Sequence, residues 1–290
     1  MKNCLLVTID VEALPARASE DHVQRLIWGR HPEGTAGISE ICDSLEDAGG
    51  KGLFFLEVAG SVGNLAAFRE INAFLTRRGH AVEWHYHPEI LGRDFWRERG
   101  AKATTMRQDL FEKADADLIL DFGLSQFRAI TGRHPQAYRA GSFRWNEHTV
   151  KFLARKGIPY SFNACAETSA KPDYDTFSPA SPKPFRWPNG VVEVPCGEYT
   201  HNGEVLHFRF PRRWPRGASA EWLATNIARE ADGLVNVLLH SWSFLQRRAS
   251  GFYEYDGDAR WKNFSRLLMT LGQGFVPISN LEALYESLGE

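Results

Sequence analysis

Apolar runs of strand length alternate with segments of helical period along most of this chain, and no other feature limits its fold as much. The first run, at residues 5–9, is typical of a strand buried on both faces. Further strand-like segments lie at residues 53–58, 81–89, 136–145, 159–164, 234–242 and 275–279. Helical periodicity marks residues 38–45, 65–78, 104–130, 146–156, 219–231, 259–271 and 281–288. Seven or eight strand and helix units in 290 residues predict an α/β fold, a single-domain, distorted (β/α)7–8 barrel spanning residues 1–290.

Three segments depart from simple alternation. Gly123 lies within the helical segment at 104–130, which therefore predicts either one helix or two. Residues 191–195 and 204–210 predict two strands joined in a hairpin around an Asn-Gly turn at 202–203. Residues 173–189 are rich in proline, serine and lysine, and strand-like sequence resumes at once, which predicts a long active-site loop and not a linker.

The composition limits the classes of partner and compartment. With 34 basic and 36 acidic residues, the chain gives no support for a nucleic-acid or anionic-membrane partner. It has no long apolar span, and its amino terminus leads into a strand without a cleavable leader, so we expect a cytoplasmic protein. Its four cysteines are scattered and predict reduced, mostly buried thiols: Cys4, Cys42, Cys165 and Cys196. Nothing in the sequence indicates an oligomeric state.

Two pairs of polar residues close strand-like segments, each with a spacing of two. Asp10 and Glu12 close the first strand, and His85 and His87 close the third. Residues i and i+2 of a strand point to the same face, so the members of each pair project together. Each pair alone has an ordinary explanation, as loop carboxylates or as hydrogen-bonded surface histidines. Together, carboxylates and imidazoles suit a divalent metal ion if their strands lie side by side.

Arg139 and His240 lie within two further strand-like segments, which the barrel interpretation ends near these residues. Taken alone, Arg139 would be a salt-bridge partner and His240 a structural histidine. In β/α barrels, however, the chemistry lies at the carboxyl ends of the strands, where the loops gather. The barrel interpretation places both residues at the same end as the two polar pairs, which favours a single active site.

Four segments, taken in order, resemble the motifs of one family. They are TIDVE at residues 8–12, GHAVEWHYHPE at 79–89, YRAGSFRWNEHTVKFLARKGI at 138–158 and VLLHSWSF at 237–244. The order resembles the polysaccharide deacetylases of carbohydrate esterase family 4, the group with the nodulation-type chitooligosaccharide deacetylase domain. The likeness runs from about residue 4 to residue 285 and looks most like a divergent branch with Asp-x-Asp/Glu and His-x-His-Pro motifs. It implies a distorted, often seven-stranded β/α barrel with a catalytic function.

The resemblance implies a metal centre built from three residues. Glu12 resembles the carboxylate ligand, and His85 and His87 resemble the two histidine ligands. The family's usual His-x-x-x-His spacing is shortened here, which leaves Glu89 as an alternative to His87 for the third ligand. Glu12 is also longer than the usual aspartate and could favour bidentate coordination. Zn²⁺ is the first expectation for nitrogen and oxygen ligands, and Co²⁺, Ni²⁺ or Mn²⁺ fits nearly as well.

The resemblance also implies catalytic and substrate-binding roles. Asp10 resembles the catalytic base, Arg139 the arginine that orients it, and His240 the general acid. Trp145 and Trp242 fall where the family lines its substrate groove. The aspartate that supports the acid histidine has no clear match in SFNACAET at residues 161–168, and two aspartates in the following loop are candidates, Asp173 and Asp175.

The sequence leaves the substrate open. Five arginines cluster in two loop-like segments: Arg212, Arg213, Arg216, Arg247 and Arg248. These arginines either form a solvated surface or, if they face the site, favour an anionic or phosphorylated sugar as the substrate. The first hypothesis is a metal-dependent hydrolase that removes an N-acetyl group from an acetamido sugar, as a small molecule or an oligosaccharide. Alternatives are hydrolysis of a formamide, cyclic imide or ureide, and a non-catalytic glycan-binding barrel.

Overall fold

The strands of the computed structural model are short, and most of them join one sheet. The model describes residues 4–13, 21–165, 183–201, 204–207, 221–222, 225, 234–272, 276–277 and 281–287. Its strands are β1 Cys4–Val11, β2 Arg30–His31, β3 Gly34–Thr35, β4 Leu53–Glu57, β5 Ala81–Tyr86, β6 Ala137–Ala140, β7 Tyr160–Ser161, β8 Phe185–Arg186, β9 Val192–Glu193, β10 Glu198–His201, β11 Glu204–His207, β12 Leu234–His240, β13 Gln246–Arg247, β14 Tyr253–Glu254 and β15 Val276–Pro277.

Helices separate most of the sheet strands along the chain. The α-helices of the described residues are α1 Ile38–Asp47, α2 Leu65–Arg77, α3 Gly92–Arg97, α4 Lys113–Thr131, α5 Glu147–Lys156, α6 Ala259–Gly272 and α7 Leu281–Ser287. Asn146 caps α5, because its side-chain oxygen accepts the amides of His148 and Thr149 at 3.0 and 3.3 Å. No helix in the described part of the chain is long and apolar enough to cross a membrane.

The main sheet has the strand order β12-β1-β4-β5-β6-β7-β9-β8, and β15 also pairs with β1. Parallel pairing joins β1 to β12 and β15, and joins the successive pairs from β5 through β6 and β7 to β9. The edge strand β8 is antiparallel to β9. This order, with helices between the strands, confirms the predicted α/β class and the distorted (β/α)7–8 barrel. The catalytic function assigned to the whole of residues 1–290 stays a prediction.

The described residues cluster into two compact units. The first comprises Met1–Phe54, Phe74–Val82 and Gly197–Glu290, and the second comprises Phe55–Ala73 and Glu83–Cys196. Each has its own buried apolar side chains. The first unit buries Ile9, Val11, Ile38, Leu45 and Leu239, and the second buries Phe55, Trp84, Phe127, Phe152 and Phe162.

The structure decides the alternative left open at Gly123 in favour of one α-helix, α4, and corrects one predicted strand. Gly123 does not break α4, and an added Cβ there would lie 2.7 Å from the Tyr86 ring and 2.9 Å from the Trp84 ring. The glycine therefore lets α4 pack closely on β5. The predicted hairpin exists, but its first strand is β10, because β9 pairs with β7 and β8 in the main sheet.

Several predicted features lie partly or wholly outside the described residues. Among them are most of the helix at 219–231, the turn at 202–203 and most of the loop at 173–189. Five of the residues singled out in the sequence also lie outside the described part of the chain: Asp173, Asp175, Arg212, Arg213 and Arg216. Of the cysteines, Cys42 and Cys196 are buried as predicted, whereas Cys4 and Cys165 are half-buried.

Burial of His80 predicts a specific dependence of stability on pH. Nδ1 of this ring accepts the Gly52 amide at 3.1 Å, and Nε2 lies 3.2 Å from Oε1 of Glu46. Burial, reinforced by the positive charge of Lys51, lowers the pKa of His80 from 6.5 to about 4, although Glu46 acts in the opposite direction. The unfolded chain therefore binds a proton near pH 6.5 that the folded protein takes up only near pH 4.

Stability is accordingly expected to fall as the pH drops from 6.5 to 4, by about 3 kcal/mol from this histidine alone. Measuring the free energy of unfolding by urea titration at several pH values between 4 and 6.5 tests this expected loss of stability. The matched variant is His80→Asn, whose side-chain oxygen can still accept the Gly52 amide. The variant should lose less stability than the wild type over the same range, and parallel curves for the two proteins would contradict the assignment.

Candidate functional site

Asp10 and His240 are neighbours at the carboxyl ends of the paired strands β1 and β12. The parallel register sets Asp10 opposite His240, so the two side chains leave adjacent strands at the same level. Nε2 of His240 lies 3.9 Å from Oδ2 of Asp10 and 4.0 Å from Oε1 of Glu12. Both carboxylates are buried. The structure thus brings two of the predicted residues, Asp10 and Glu12, together with a third, His240, that lies about 230 positions further along the sequence.

The turn after β12 fixes this group. Nε1 of Trp242 donates to Oε1 of Glu12 at 3.2 Å, and the Trp242 ring stacks on the His240 ring with centroids 4.3 Å apart. The Ser241 hydroxyl donates to the Glu12 carbonyl at 3.1 Å, and the His240 amide donates to the Ser243 hydroxyl at 2.8 Å. Trp242 is only 8% exposed. It orients Glu12 and His240, and its predicted contact with substrate stays a prediction.

His85 and His87, at the end of β5, are buried and have nearly perpendicular rings with centroids 4.9 Å apart. Nδ1 of His85 is 2.9 Å from the Arg139 carbonyl, and Nδ1 of His87 is 2.8 Å from Oε1 of Glu89. Since a carbonyl oxygen can only accept, Nδ1 of His85 carries the proton in the neutral ring, and the carboxylate favours the same tautomer for His87. Both imidazoles then have their lone pair on Nε2, the form that binds a metal ion.

Glu12, in the first unit, and His85 and His87, in the second, are all buried. One carboxylate and two imidazoles are a donor set that suits a divalent ion with an open coordination position. Glu89, the alternative third ligand, instead contacts the Nδ1 side of His87. This contact is the usual place of a carboxylate that orients a metal-binding histidine.

Glu57, at the end of β4, is a buried carboxylate that the sequence analysis missed. Its oxygens accept the amides of Ala59 at 2.7 Å, Gly60 at 2.8 Å and His87 at 3.2 Å. Burial raises the pKa of Glu57, while the charge of His87 and the amide hydrogen bonds act against that rise. Glu57 therefore fixes the backbone that presents His87. Its signal was an acidic residue closing the apolar run LFFLE, as Asp10 closes the first strand.

Gly141, in the turn after β6, lies directly against His87. A Cβ at this position would come within 2.4 Å of Nδ1 and 2.6 Å of Cε1 of the His87 ring. The next two residues, Ser142 and Phe143, have positive φ values of 55° each, which is unusual for residues with side chains. The RAGSF segment is thus shaped to bring its backbone against a candidate ligand.

Arg139, in β6 just before this turn, is buried, with 1% of its surface exposed. Its Nε donates to the Phe162 carbonyl at 3.3 Å, and its guanidinium lies 4.2 Å from the centre of the Phe55 ring. Trp145 is also buried, at 3% exposed, and packs edge-on against Trp187 at 5.4 Å. Little of its ring is exposed for a substrate, so its predicted role stays untested.

The segment that was expected to hold a supporting aspartate holds a structural network in its described part. The Asn163 side chain accepts the Ala140 amide at 2.6 Å. The buried Glu193 carboxylate accepts the amides of Asn163 and Ala164 at 2.6 and 2.7 Å. These bonds hold the ends of β6 and β7 in place, and neither side chain was predicted from the sequence.

Solved structures share this fold at low sequence identity. A Mycobacterium smegmatis protein assigned to the polysaccharide deacetylases matches with a TM-score of 0.57 and 17% identity, over 98% of this chain and 90% of that one. A carbohydrate esterase family 4 pseudoenzyme from Bacillus anthracis matches with a TM-score of 0.50 and 12% identity, over 98% of this chain and 66% of its own. A mutant of that pseudoenzyme with restored enzymatic activity matches with the same TM-score and identity, over 98% and 68%. No family model and no curated protein matches the sequence. The chain therefore has the fold of the polysaccharide deacetylases of carbohydrate esterase family 4.

Proposed function

We propose that this protein is a metal-dependent hydrolase that removes an N-acetyl group from an acetamido sugar. The observation that carries the proposal is the pair of buried imidazoles at the end of β5, His85 and His87, whose Nδ1 atoms are hydrogen-bonded so that each lone pair lies on Nε2. In the other unit, Asp10 and His240 lie beside Glu12, the third ligand that we assign, and would supply a base and an acid. Burying two carboxylates and a histidine at strand ends removes their hydration and costs free energy. A barrel without catalytic function would gain nothing that offsets this cost.

Glu12, His85 and His87 would hold the ion, with Trp242 and Glu89 orienting two of them through the hydrogen bonds described above. When bound, a divalent ion polarises the amide carbonyl and makes a water molecule acidic enough to attack it near neutral pH. Zinc suits the donor set best, and cobalt, nickel and manganese remain alternatives.

Asp10 would act as the base that takes a proton from the attacking water. We assign to Arg139 the role of orienting Asp10, which is the role that the resemblance of YRAGSFRW to the deacetylase motif implies for this arginine. His240 would donate a proton to the nitrogen as the C–N bond breaks, since an amine leaves readily only after protonation. Carboxylate oxygens of Asp10 and Glu12 each lie about 4 Å from its Nε2, so the proposed acid lies next to the proposed base.

The fold by itself does not decide whether the chain is catalytic, because one of the matching structures is a pseudoenzyme and another is its reactivated mutant. The proposal therefore rests on the residues. The base, the acid and three candidate ligands are all present in this sequence, which argues against a non-catalytic binding protein.

Acetate release from acetylated glucosamine derivatives by zinc-loaded protein tests the proposal. We expect release that stops after chelation and returns when the ion is restored, and anomalous scattering should find the ion at Glu12, His85 and His87. Hydrolysis of a formamide, a cyclic imide or a ureide without acetate release would support the alternative hydrolase. Turnover of none of these compounds by protein with a full metal complement would overturn the proposal.

A further inference from the structure

The pairing of β1 with β12 ends at a side chain, next to the candidate catalytic residues. The two strands are in parallel register up to Asp10 and His240, and the Ser241 amide donates to the Asp10 carbonyl at 2.8 Å. In a parallel ladder the next bonds would join the backbone of residue 12 to residues 241 and 243. The Ser243 amide instead donates back to the His240 carbonyl at 2.9 Å, and the chain turns there.

The hydroxyl of Ser241 takes over both of those bonds. It accepts the Glu12 amide at 3.3 Å and donates to the Glu12 carbonyl at 3.1 Å. A hydroxyl group can donate and accept at once, whereas a backbone amide only donates and a carbonyl only accepts. One side chain therefore binds both backbone polar groups of Glu12 and leaves the chain free to turn after β12.

This turn brings Trp242 back onto Glu12. The indole Nε1 donates to Oε1 of Glu12 at 3.2 Å, and the same oxygen lies 4.0 Å from Nε2 of His240. Glu12 is thus held at two points, its backbone by Ser241 and its carboxylate by Trp242. A shift of the Glu12 backbone would move the carboxylate relative to both the indole and the imidazole.

Burial makes the Ser241 hydroxyl hard to replace. Ser241 is 0% exposed and Glu12 is 2% exposed. Removal of the hydroxyl would take one partner from the amide and one from the carbonyl of Glu12, in a place that solvent does not reach, and such a loss is costly. The backbone of Glu12 is then expected to shift towards new partners.

We propose that Ser241 is a positioning residue of the candidate metal centre. Its hydroxyl fixes the backbone of Glu12 and so determines where the carboxylate of that residue lies. The inference rests on the proposed function, because it takes Glu12 as a ligand of the metal ion. Ser241 acts through Glu12 and takes no part in the reaction itself.

Ser241→Ala tests the inference, because it removes the hydroxyl without adding volume. Its zinc affinity, measured by competition with a chelator of known affinity, should fall by about 10- to 100-fold, the range for residues that orient metal ligands. At saturating zinc, kcat for acetate release should fall while KM changes little, since the buried hydroxyl is not exposed to a substrate. Unchanged zinc affinity in a folded Ser241→Ala protein would overturn the inference.

Thr8→Val is the matched control. The Thr8 hydroxyl also joins β1 to β12, since it donates to Oδ1 of Asn236 at 3.0 Å, and both side chains are buried. Thr8→Val should therefore unfold at a lower urea concentration, as Ser241→Ala does, yet keep the zinc affinity and the kcat of the wild type. An equal loss of zinc affinity in the two variants would mean that any buried bond between these strands matters, and the inference would fail.

The indole N–H resonance of Trp242 provides a test that needs neither metal nor substrate. In proton–nitrogen correlation spectra of the metal-free protein, with this resonance assigned through Trp242→Phe, Ser241→Ala should move it towards the position of an indole without a hydrogen bond. Thr8→Val should leave it in place. If the wild type binds no zinc and releases no acetate while the indole behaves in this way, the proposed function fails and the role of Ser241 in holding Glu12 stands. A resonance that does not move in Ser241→Ala would overturn that role.

Ser241→Cys covers the case in which Ser241→Ala does not fold. A thiol occupies the place of the hydroxyl but is a weak donor and a weak acceptor. The same changes in zinc affinity and in the indole resonance are expected at smaller size, and their absence would overturn the inference as well.

Discussion

Replacing Asp10 by asparagine is expected to reduce kcat for deacetylation by about a thousandfold, within the range attributed to general acid–base catalysis. Asparagine has the shape of aspartate but cannot take a proton from water. The affinity for zinc should change little, because the three ligand atoms come from Glu12, His85 and His87. Steady-state acetate release and a zinc titration on the same preparation measure the two effects.

Two comparisons make this experiment decisive. Glu12→Gln should lose zinc affinity together with activity, since Glu12 is a ligand in our proposal. Asp94→Asn serves as the matched control, because the Asp94 side chain in α3 is 78% exposed and has no role in the proposed site. If Asp10→Asn retains near-normal kcat, Asp10 is not the base. If it loses its metal as well, Asp10 is a ligand, and the assignments of Asp10 and Glu12 must be exchanged.

The sequence predicted well those features that depend on local patterns. Strand β1 with Asp10 and Glu12 at its end, and β5 leading to His87, followed from the alternation of apolar and polar residues and from the spacing of two. The position of His240 at the end of β12 followed in the same way. Because parallel strands of one sheet place their carboxyl ends together, locating the strand ends was enough to identify the candidate residues.

Features set by tertiary contacts could not be predicted in this way. Gly123 signals a helix break by local propensity, yet the need for close packing on Trp84 and Tyr86 outweighs that propensity. The sequence could not choose between His87 and Glu89 as a ligand, because the answer depends on which imidazole nitrogen the carboxylate contacts. Glu57 and Glu193 were not predicted, because their role is to accept backbone amides distant in sequence or across a turn. For Glu57 the sequence offered only its place at the acidic end of the run LFFLE.

Gly141→Ala is expected to lower zinc affinity by roughly 10- to 100-fold, the range seen when groups that orient metal ligands are altered. The glycine has no positive φ, so alanine is compatible with its backbone conformation. The effect is steric, because the new methyl group would sit 2.4–2.6 Å from three atoms of the His87 ring. That ring cannot move without cost, since Glu57 holds its backbone amide and Glu89 holds its Nδ1.

Competition with a chelator of known affinity measures the change in zinc binding, and thermal unfolding of the metal-free protein shows whether the variant still folds. Gly272→Ala is the matched control, because an added Cβ there meets nothing within 4 Å. An unchanged zinc affinity in a folded Gly141→Ala protein would mean that the turn after β6 shifts to accept the methyl group, or that His87 is not a ligand.

A double-mutant comparison with His87→Ala distinguishes those two explanations. If Gly141→Ala acts only by displacing His87, the two substitutions remove the same ligand, and the double variant should bind zinc no more weakly than His87→Ala alone. Additive losses would mean that Gly141 supports the site by another route. If His87→Ala alone leaves zinc affinity unchanged, the third ligand must be sought elsewhere, and Glu89 becomes the first candidate because it already lies 2.8 Å from the same imidazole.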